Sequence, residues 1–596
     1  MTVYEGQSRL GASTQQDGRE VMATMTTETA VHTGRTALGP FPAAAPRVPD
    51  APHVTAATID VDAAHVQGPL TRVWESFGYD EFNWTYMPTG KRLLKTFAEF
   101  SGGGYFVRPH YMYCSGSGFG IPHWSSGDVY HEDADGNPYY DFTLLDQAYD
   151  AIVRNGHHLL VELGFTPRDL LPPEAAELTV VPSPTAYTNY EAGAWGYPPS
   201  DYAKWAGLIS ATVQHCVERY GADEVKTWLW ELWNEPDIDY WRGTLDQYNE
   251  LYTATVEAIR AVLPEAKVGG PAVTSGGLNF LKGFLDYTSR RNEPLDFISY
   301  HTKGCHFPTR DYKPFAEPAD EELSPSSTKM LYDLREFNRL IGSYDAYAGL
   351  PVIVDECDAA VPAHFGRYDN RNYSFQNTEY YPVFQAKLMK KILDLNATET
   401  AQVAYATSWS FYFEAERYFE GTRSFLTAGG VEKPLLNAYR MLSLLGPNRL
   451  RTTSDAAWQV AELENTDGSS MPEEVDALAS RADDGSIAVL VWRHIDDQYQ
   501  TSDTPTPVKL LLRNLPAGDY RLRHLRIDAD HSNSFSVWQG LGSPQDPTAD
   551  ELAAIHARQG LEEIDAESNL TVDGTLTLEL TLPLPSASLL VLEPGS

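Results

Sequence analysis

The chain has 596 residues, with 82 Asp and Glu against 45 Lys and Arg, for a formal charge of −37. That charge repels nucleic acid and anionic membrane, which excludes both as partners, and no run of about 18 apolar residues marks a membrane span. The length exceeds one ordinary domain and predicts a large catalytic unit with at least one accessory domain.

The sequence holds 13 Trp and 34 Tyr, side chains whose faces suit the apolar faces of sugar rings in a pocket that mixes aromatic and polar groups. Cys114, Cys216, Cys305 and Cys357 form no CxxC and no metal-ligand spacing, so free thiols in a reducing compartment are expected. Residues 1–50 are rich in Thr, Ala, Gly and Ser and read as a poorly ordered tail. They show no basic segment followed by an apolar one, so a cytoplasmic location is expected.

Next, Val54 to Val61 alternates like a strand, and 51–70 is assigned to the accessory domain. From 71 to 446, apolar β-like runs alternate with amphipathic helical stretches. The candidate strands are Trp74–Tyr79, Tyr105–Tyr113, His158–Phe165, Lys226–Asn234, Lys267–Val273, Leu295–His301, Pro351–Cys357 and Val403–Tyr412. Between them lie helices such as Asp201–Tyr220 and Leu245–Leu263, with apolar residues on one face. Eight such units predict a (β/α)8 TIM barrel, an α/β fold. From 447 to 596 the pattern changes to short alternating strands split by Asp, Gly and Pro, which predicts an antiparallel β-sandwich.

Two strands of the barrel region end in glutamates, Glu235 after Trp233-Asn234 and Glu356 after Val354-Asp355. They are 121 positions apart, and a barrel gathers strand ends at one face, where two carboxyls are the minimum equipment for glycoside cleavage. Asn234 beside the first can reach a sugar hydroxyl. GxSxG is absent; Gly102-Gly103-Gly104 precedes a strand and is a turn; His157 and His158 have no metal spacing. No metal or other cofactor is expected.

The segments VELGFTPRDL (161–170), the stretch 198–252 containing WLWELWNEPDIDYW, KVGGPA (267–272) and LDFISYH (295–301) resemble glycoside hydrolase family 39, the β-xylosidase and α-L-iduronidase family. The resemblance spans most of 70–450. It implies a retaining enzyme with Glu235 as acid/base and Glu356 as nucleophile. By position it also implies sugar contacts from His110, His301 and Trp409. Three places depart from the pattern: Lys303 stands where a Tyr is common, Cys357-Asp358 follow the nucleophile, and Glu414, Glu416 and Glu420 compete for one sugar-binding role after the eighth strand.

The expectation is therefore a retaining exo-glycosidase acting on pentose-containing oligosaccharides, β-xylosidase-like. Alternatives are release of arabinose-containing mono- or disaccharides from arabinogalactan side chains, β-glucosidase or β-galactosidase action, and a catalytically silent glycan-binding protein. The accessory domain is expected to supply support, with its surface open to sugar or to a second copy in a homo-oligomer.

Overall fold

The computed structural model describes residues 45–46, 52–116, 126–178, 188–307, 321–361, 363–413, 417–465, 470–565 and 568–595. The sequence reading of residues 1–44 and of Glu414 and Glu416 falls outside them. Ala45–Pro46 pairs antiparallel with Leu323–Ser324.

Eight parallel strands form the barrel: β1 Ser76–Tyr79, β2 Phe106–Pro109, β3 His158–Leu163, β4 Leu229–Leu232, β5 Lys267–Val273, β6 Phe297–Lys303, β7 Pro351–Asp358 and β8 Gln402–Ala406. Each pairs with its sequence neighbour. A parallel bridge between Phe77 and Ser408, with Gly78 N–H donating to the Ser408 carbonyl at 2.9 Å, closes the ring. The TIM barrel inferred from eight apolar runs is present.

The helices follow local chemistry. In the helix Tyr202–Tyr220, Asp201 caps the first turn by accepting from the Ala203 and Lys204 N–H groups, and Trp205, Leu208, Ile209 and Val213 are buried. Such a cap is worth about 1 kcal/mol. Leu245–Val262 opens with a reciprocal capping box between Thr244 and Gln247. The barrel floor is a separate apolar layer of Phe106, Leu160, Leu229, Phe297 and Ile353, so chemistry is confined to the opposite, C-terminal end.

Two register slips shape that end. Along β6, Tyr300 is opposite Val354 but His301 is opposite Glu356, so β7 accommodates Asp355 as an extra residue. Along β5, Ser299 faces Pro271 and Tyr300 faces Val273, which makes Ala272 the extra residue, at φ 53°. Bulges re-aim side chains. Here the first lets the neighbours Asp355 and Glu356 both contact Arg108 inside the barrel, which strict alternation would forbid.

The second domain is a β-sandwich built around the 26-residue strand Ser502–Ile527. Its first half pairs with Ala57–Pro69 and its second half with Ser586–Pro594; register slips at 513–518 separate the halves, and through both pairings the strand closes one sheet on itself. The pairing with Ala57–Pro69 is parallel, a departure from an all-antiparallel sandwich. Two short helices, Ser534–Gly540 and Ala549–His556, were not expected. They pack Phe535, Trp538 and Ile555 against Phe419 and Val431 of the loop after β8.

Candidate active site

Arg108 on β2 stands at the centre of the barrel mouth and is fully buried. Its Nε donates to Glu231 on β4 at 2.6 Å, and its guanidinium lies 3.2 Å from Asp355, 3.5 Å from Glu162 on β3 and 3.7 Å from Glu356. A buried cation is tolerated only when paired, and these carboxylates hold Arg108 charged at all accessible pH. The converse also holds. Burial, then the neighbouring Asp355, push the Glu231 carboxyl up, while at Asp355 Arg108 and His301 outweigh burial and hold it down.

His110 follows β2 and is buried, its Nε2 2.7 Å from Glu162 and 3.7 Å from Glu356, its Nδ1 3.3 Å from Asp80. Burial opposes its charge, but Glu162 and Asp80 outweigh it and raise the imidazole to about 9. His301 on β6 bridges two acids, with Nδ1 2.8 Å from Glu235 and Nε2 3.5 Å from Asp355. Burial again works against the charge, and Glu356 and Asp355 raise it to about 10.

Glu235 lies three residues beyond β4, at φ 46°, with Trp233 at φ 71°. Such angles are costly for non-glycine residues and persist where surroundings over-determine them. Two anchors do so here: Glu235 N–H donates to the carbonyl of the bulged Ala272 at 2.9 Å, and Trp233 Nε1 donates to the Tyr240 carbonyl at 2.8 Å. Asn234 between them is buried and accepts from Arg108 Nη2 at 3.1 Å.

Glu356 on β7 is bound on its other side by Lys303, whose Nζ is 2.6 Å from Oε2 and 2.7 Å from Asp358. Burial favours the neutral acid, yet Lys303, His301, His110 and Arg108 hold the carboxyl far below the usual carboxylate range. One carboxylate oxygen of Glu356, one of Glu235 and one ring nitrogen of His301 all lie within 4.8 Å of one another.

Trp409 lies three residues past β8 and is buried. Its ring centroid is 4.3 Å from that of His110 and 5.3 Å from the Arg108 guanidinium carbon, and its Nε1 donates to Asp80 at 3.3 Å. A Cβ on Gly78 would collide with this ring, so the glycine in β1 is a packing requirement. Glu420 accepts from the Arg417 N–H at 3.3 Å, and no contact with Glu235 or Glu356 is observed for it. Arg423, not foreseen, donates to the Trp409 carbonyl at 2.9 Å and lies 3.3 Å from Asp358.

The profile of the Glycosyl hydrolases family 39 matches residues 59–576. The chain belongs to this family. Among its relatives, the beta-xylosidase of Geobacillus stearothermophilus is 26% identical over 476 residues, covering 78% of this chain and 83% of the relative. The alpha-L-iduronidase of Homo sapiens is 25% identical over 415 residues, covering 64% and 59%. The solved monomeric beta-xylosidase from Caulobacter crescentus CB15 superposes with a TM-score of 0.72 at 25% identity, over 90% of this chain and 100% of that one. As a family 39 member the protein is a glycoside hydrolase, and its substrates are oligosaccharides.

Of the site residues read from sequence, Glu235, Glu356, Asn234, His110, His301, Lys303 and Trp409 converge on the barrel mouth. Glu162, Glu231, Asp355, Asp80 and Arg423 were missed as site residues. For the first three a signal existed: an acid inside an apolar strand run, which is uncommon in a core unless paired.

Proposed function

We propose that this family 39 hydrolase is a retaining exo-glycosidase that removes β-xylosyl-type units from short pentose-containing oligosaccharides. The observation that supports the retaining part is the close approach of the two glutamates, one carboxylate oxygen of each lying within 4.8 Å of the other. Retaining pairs stand about 5–5.5 Å apart, whereas an inverting pair needs roughly 6.5–9.5 Å to admit water.

In this reading Glu356, ionised by four surrounding cations, attacks the anomeric carbon. Glu235, hydrogen-bonded to His301, passes a proton to the departing oxygen. A glycosyl ester on Glu356 results. Esterification consumes the Glu356 charge, and Glu235, now anionic, takes a proton from the water that releases the sugar. Asn234, tied to Arg108, is positioned for the sugar 2-hydroxyl, a contact that strengthens in the transition state.

A second reading is favoured by one observation. Lys303 and Arg423 both converge on Asp358 beside the nucleophile, and cations there suit a sugar that carries a carboxylate. The named activity of the iduronidase relatives points the same way. A panel of aryl glycosides separates the two: β-xyloside, α-L-arabinofuranoside, β-galactoside, β-glucoside and α-L-iduronide. Fastest turnover of the β-xyloside supports the first reading. Fastest turnover of the iduronide replaces it, and failure on all five contradicts both.

A further inference from the structure

One basic cluster outside the catalytic pit stands out in a chain of charge −37. Tyr368, in the loop after β7, is 51% exposed. The guanidinium carbon of Arg417, from the loop after β8, lies 4.3 Å from its ring centroid, and that of Arg367 lies 5.6 Å away. A guanidinium resting on an aromatic face keeps its in-plane N–H edges free for a planar anion. Among the described residues no carboxylate lies within ion-pair distance of either group. Of the nearby acids, Asp369 accepts the Gly366 N–H at 2.7 Å and Glu420 accepts the Arg417 N–H.

The cluster is built into the rim of the active-site mouth. Arg367 N–H donates to the Glu420 carbonyl at 2.8 Å and Arg423 N–H to the Ala363 carbonyl at 2.7 Å, which ties the two loops together. Ala363 packs on Trp409, whose ring touches His110 beside Glu356. Tyr368 is five residues beyond Ala363, so it lies no more than about 18 Å away. That bound leaves the cluster within reach of a saccharide that extends out of the mouth.

The geometry points to a leaving-group subsite for an acidic saccharide, in which Arg367 and Arg417, both lying against Tyr368, bind the carboxylate of a uronic acid residue. The inference rests on the glycosidase reading and adds to it the class of substrate. The protein's overall negative charge repels such a substrate at long range, but that field is screened beyond about 8–10 Å, and contact at the rim decides the preference.

The test compares a xylo-oligosaccharide bearing one uronic acid on its leaving side with the same compound after reduction of its carboxyl to the alcohol. Wild-type kcat/KM is expected to favour the acid about tenfold at low salt, the worth of a charge-assisted contact, with the ratio falling as salt rises. In R367Q/R417Q the ratio should approach one, with turnover of a simple aryl glycoside unchanged. A wild-type ratio of one, or a ratio that survives in the double variant, overturns the subsite. Should no aryl glycoside be turned over, the glycosidase reading fails separately. The same pair of ligands, titrated into wild type and double variant by calorimetry, still decides whether the acid is bound at this cluster.

Discussion

Lys303 is the cation nearest to Glu356, the proposed nucleophile, and the first of those that hold its carboxyl down. Its ammonium lies 2.6 Å from Glu356 and 2.7 Å from Asp358 and acts against burial. The sign of its removal follows from the depressed pKa. A nucleophile whose folded pKa is lowered stays ionised far into acid, and losing the cation raises that pKa. In Lys303→Met the acid limb of the kcat/KM profile should therefore move upward, and kcat/KM at neutral pH should fall, by about 10- to 100-fold for 1.4–3 kcal/mol of lost charge-assisted contact. The linked stability has the same sense: the contribution of ionised Glu356 is present above its unfolded pKa and is lost as pH falls through the folded one. An unmoved acid limb in a folded variant would remove Lys303 from this role. Glu235 and Glu356 were legible from sequence because acids ending apolar runs, 121 positions apart, make sense only at a shared barrel face. The Arg108 cage was not. Asp355 and Glu356 are adjacent, and alternation sends neighbours to opposite faces; only the bulge, a pairing property, turns both inward.

The helix Tyr380–Asn396 joins the two domains through buried charge. Lys387 donates to Asp496 at 2.5 Å with both side chains fully buried, and Lys391 lies 2.7 Å from Glu474 and 2.8 Å from Asp476. Asp496 also accepts from the Ser327 N–H and hydroxyl. Deleting one member of a buried pair leaves an uncompensated charge, at a cost of about 3–5 kcal/mol. Lys387→Met should lose that much in denaturant unfolding, and changing Asp496 to Asn in the same chain should recover part of it. If the single and double variants lose equally, the pair is not the source. The helical period of this segment is weak because nearly every side of it is covered, so sequence patterning gave no hint of its role. In sequence the long strand Ser502–Ile527 looks like two short ones, Val508–Leu512 and Gly518–Ile527, because Asn514, Pro516 and Gly518 look like a turn. They sit at the register slips between the half that pairs with Ala57–Pro69 and the half that pairs with Ser586–Pro594.

For the whole molecule, the barrel and sandwich share one apolar cluster, while the sandwich also has a core of its own around Ile59, Val489, Leu510 and Leu582. The main apolar cluster runs from barrel residues such as Phe384 and Leu388 into Leu478, Leu490, Trp492 and Leu589 of the sandwich. The sandwich also props the rim. Tyr418 N–H donates to Gln545 at 2.9 Å and Glu432 N–H to Gln559 at 3.1 Å, next to the loop carrying Arg417 and Arg423. A shared core predicts one cooperative thermal transition, with activity and secondary structure lost together. Two resolved transitions in calorimetry would show that the sandwich core melts independently of the shared cluster. The barrel was legible as eight periodic units. The parallel joining of Ala57–Pro69 to Ser502–Ile527 was not, because alternation marks a strand without naming its partner.

The central claim is that Glu356 becomes covalently linked to the sugar while Glu235 handles the proton. It is tested most directly with the 2-deoxy-2-fluoro analogue of the best aryl glycoside, which slows hydrolysis of the glycosyl ester, followed by peptide mapping. The expected result is one fluoroglycosyl group per chain, on the peptide containing Glu356, with activity lost in step with labelling and no label in Glu356→Gln. A label on Glu235, or hydrolysis of the parent substrate with inverted configuration and no label, would contradict it.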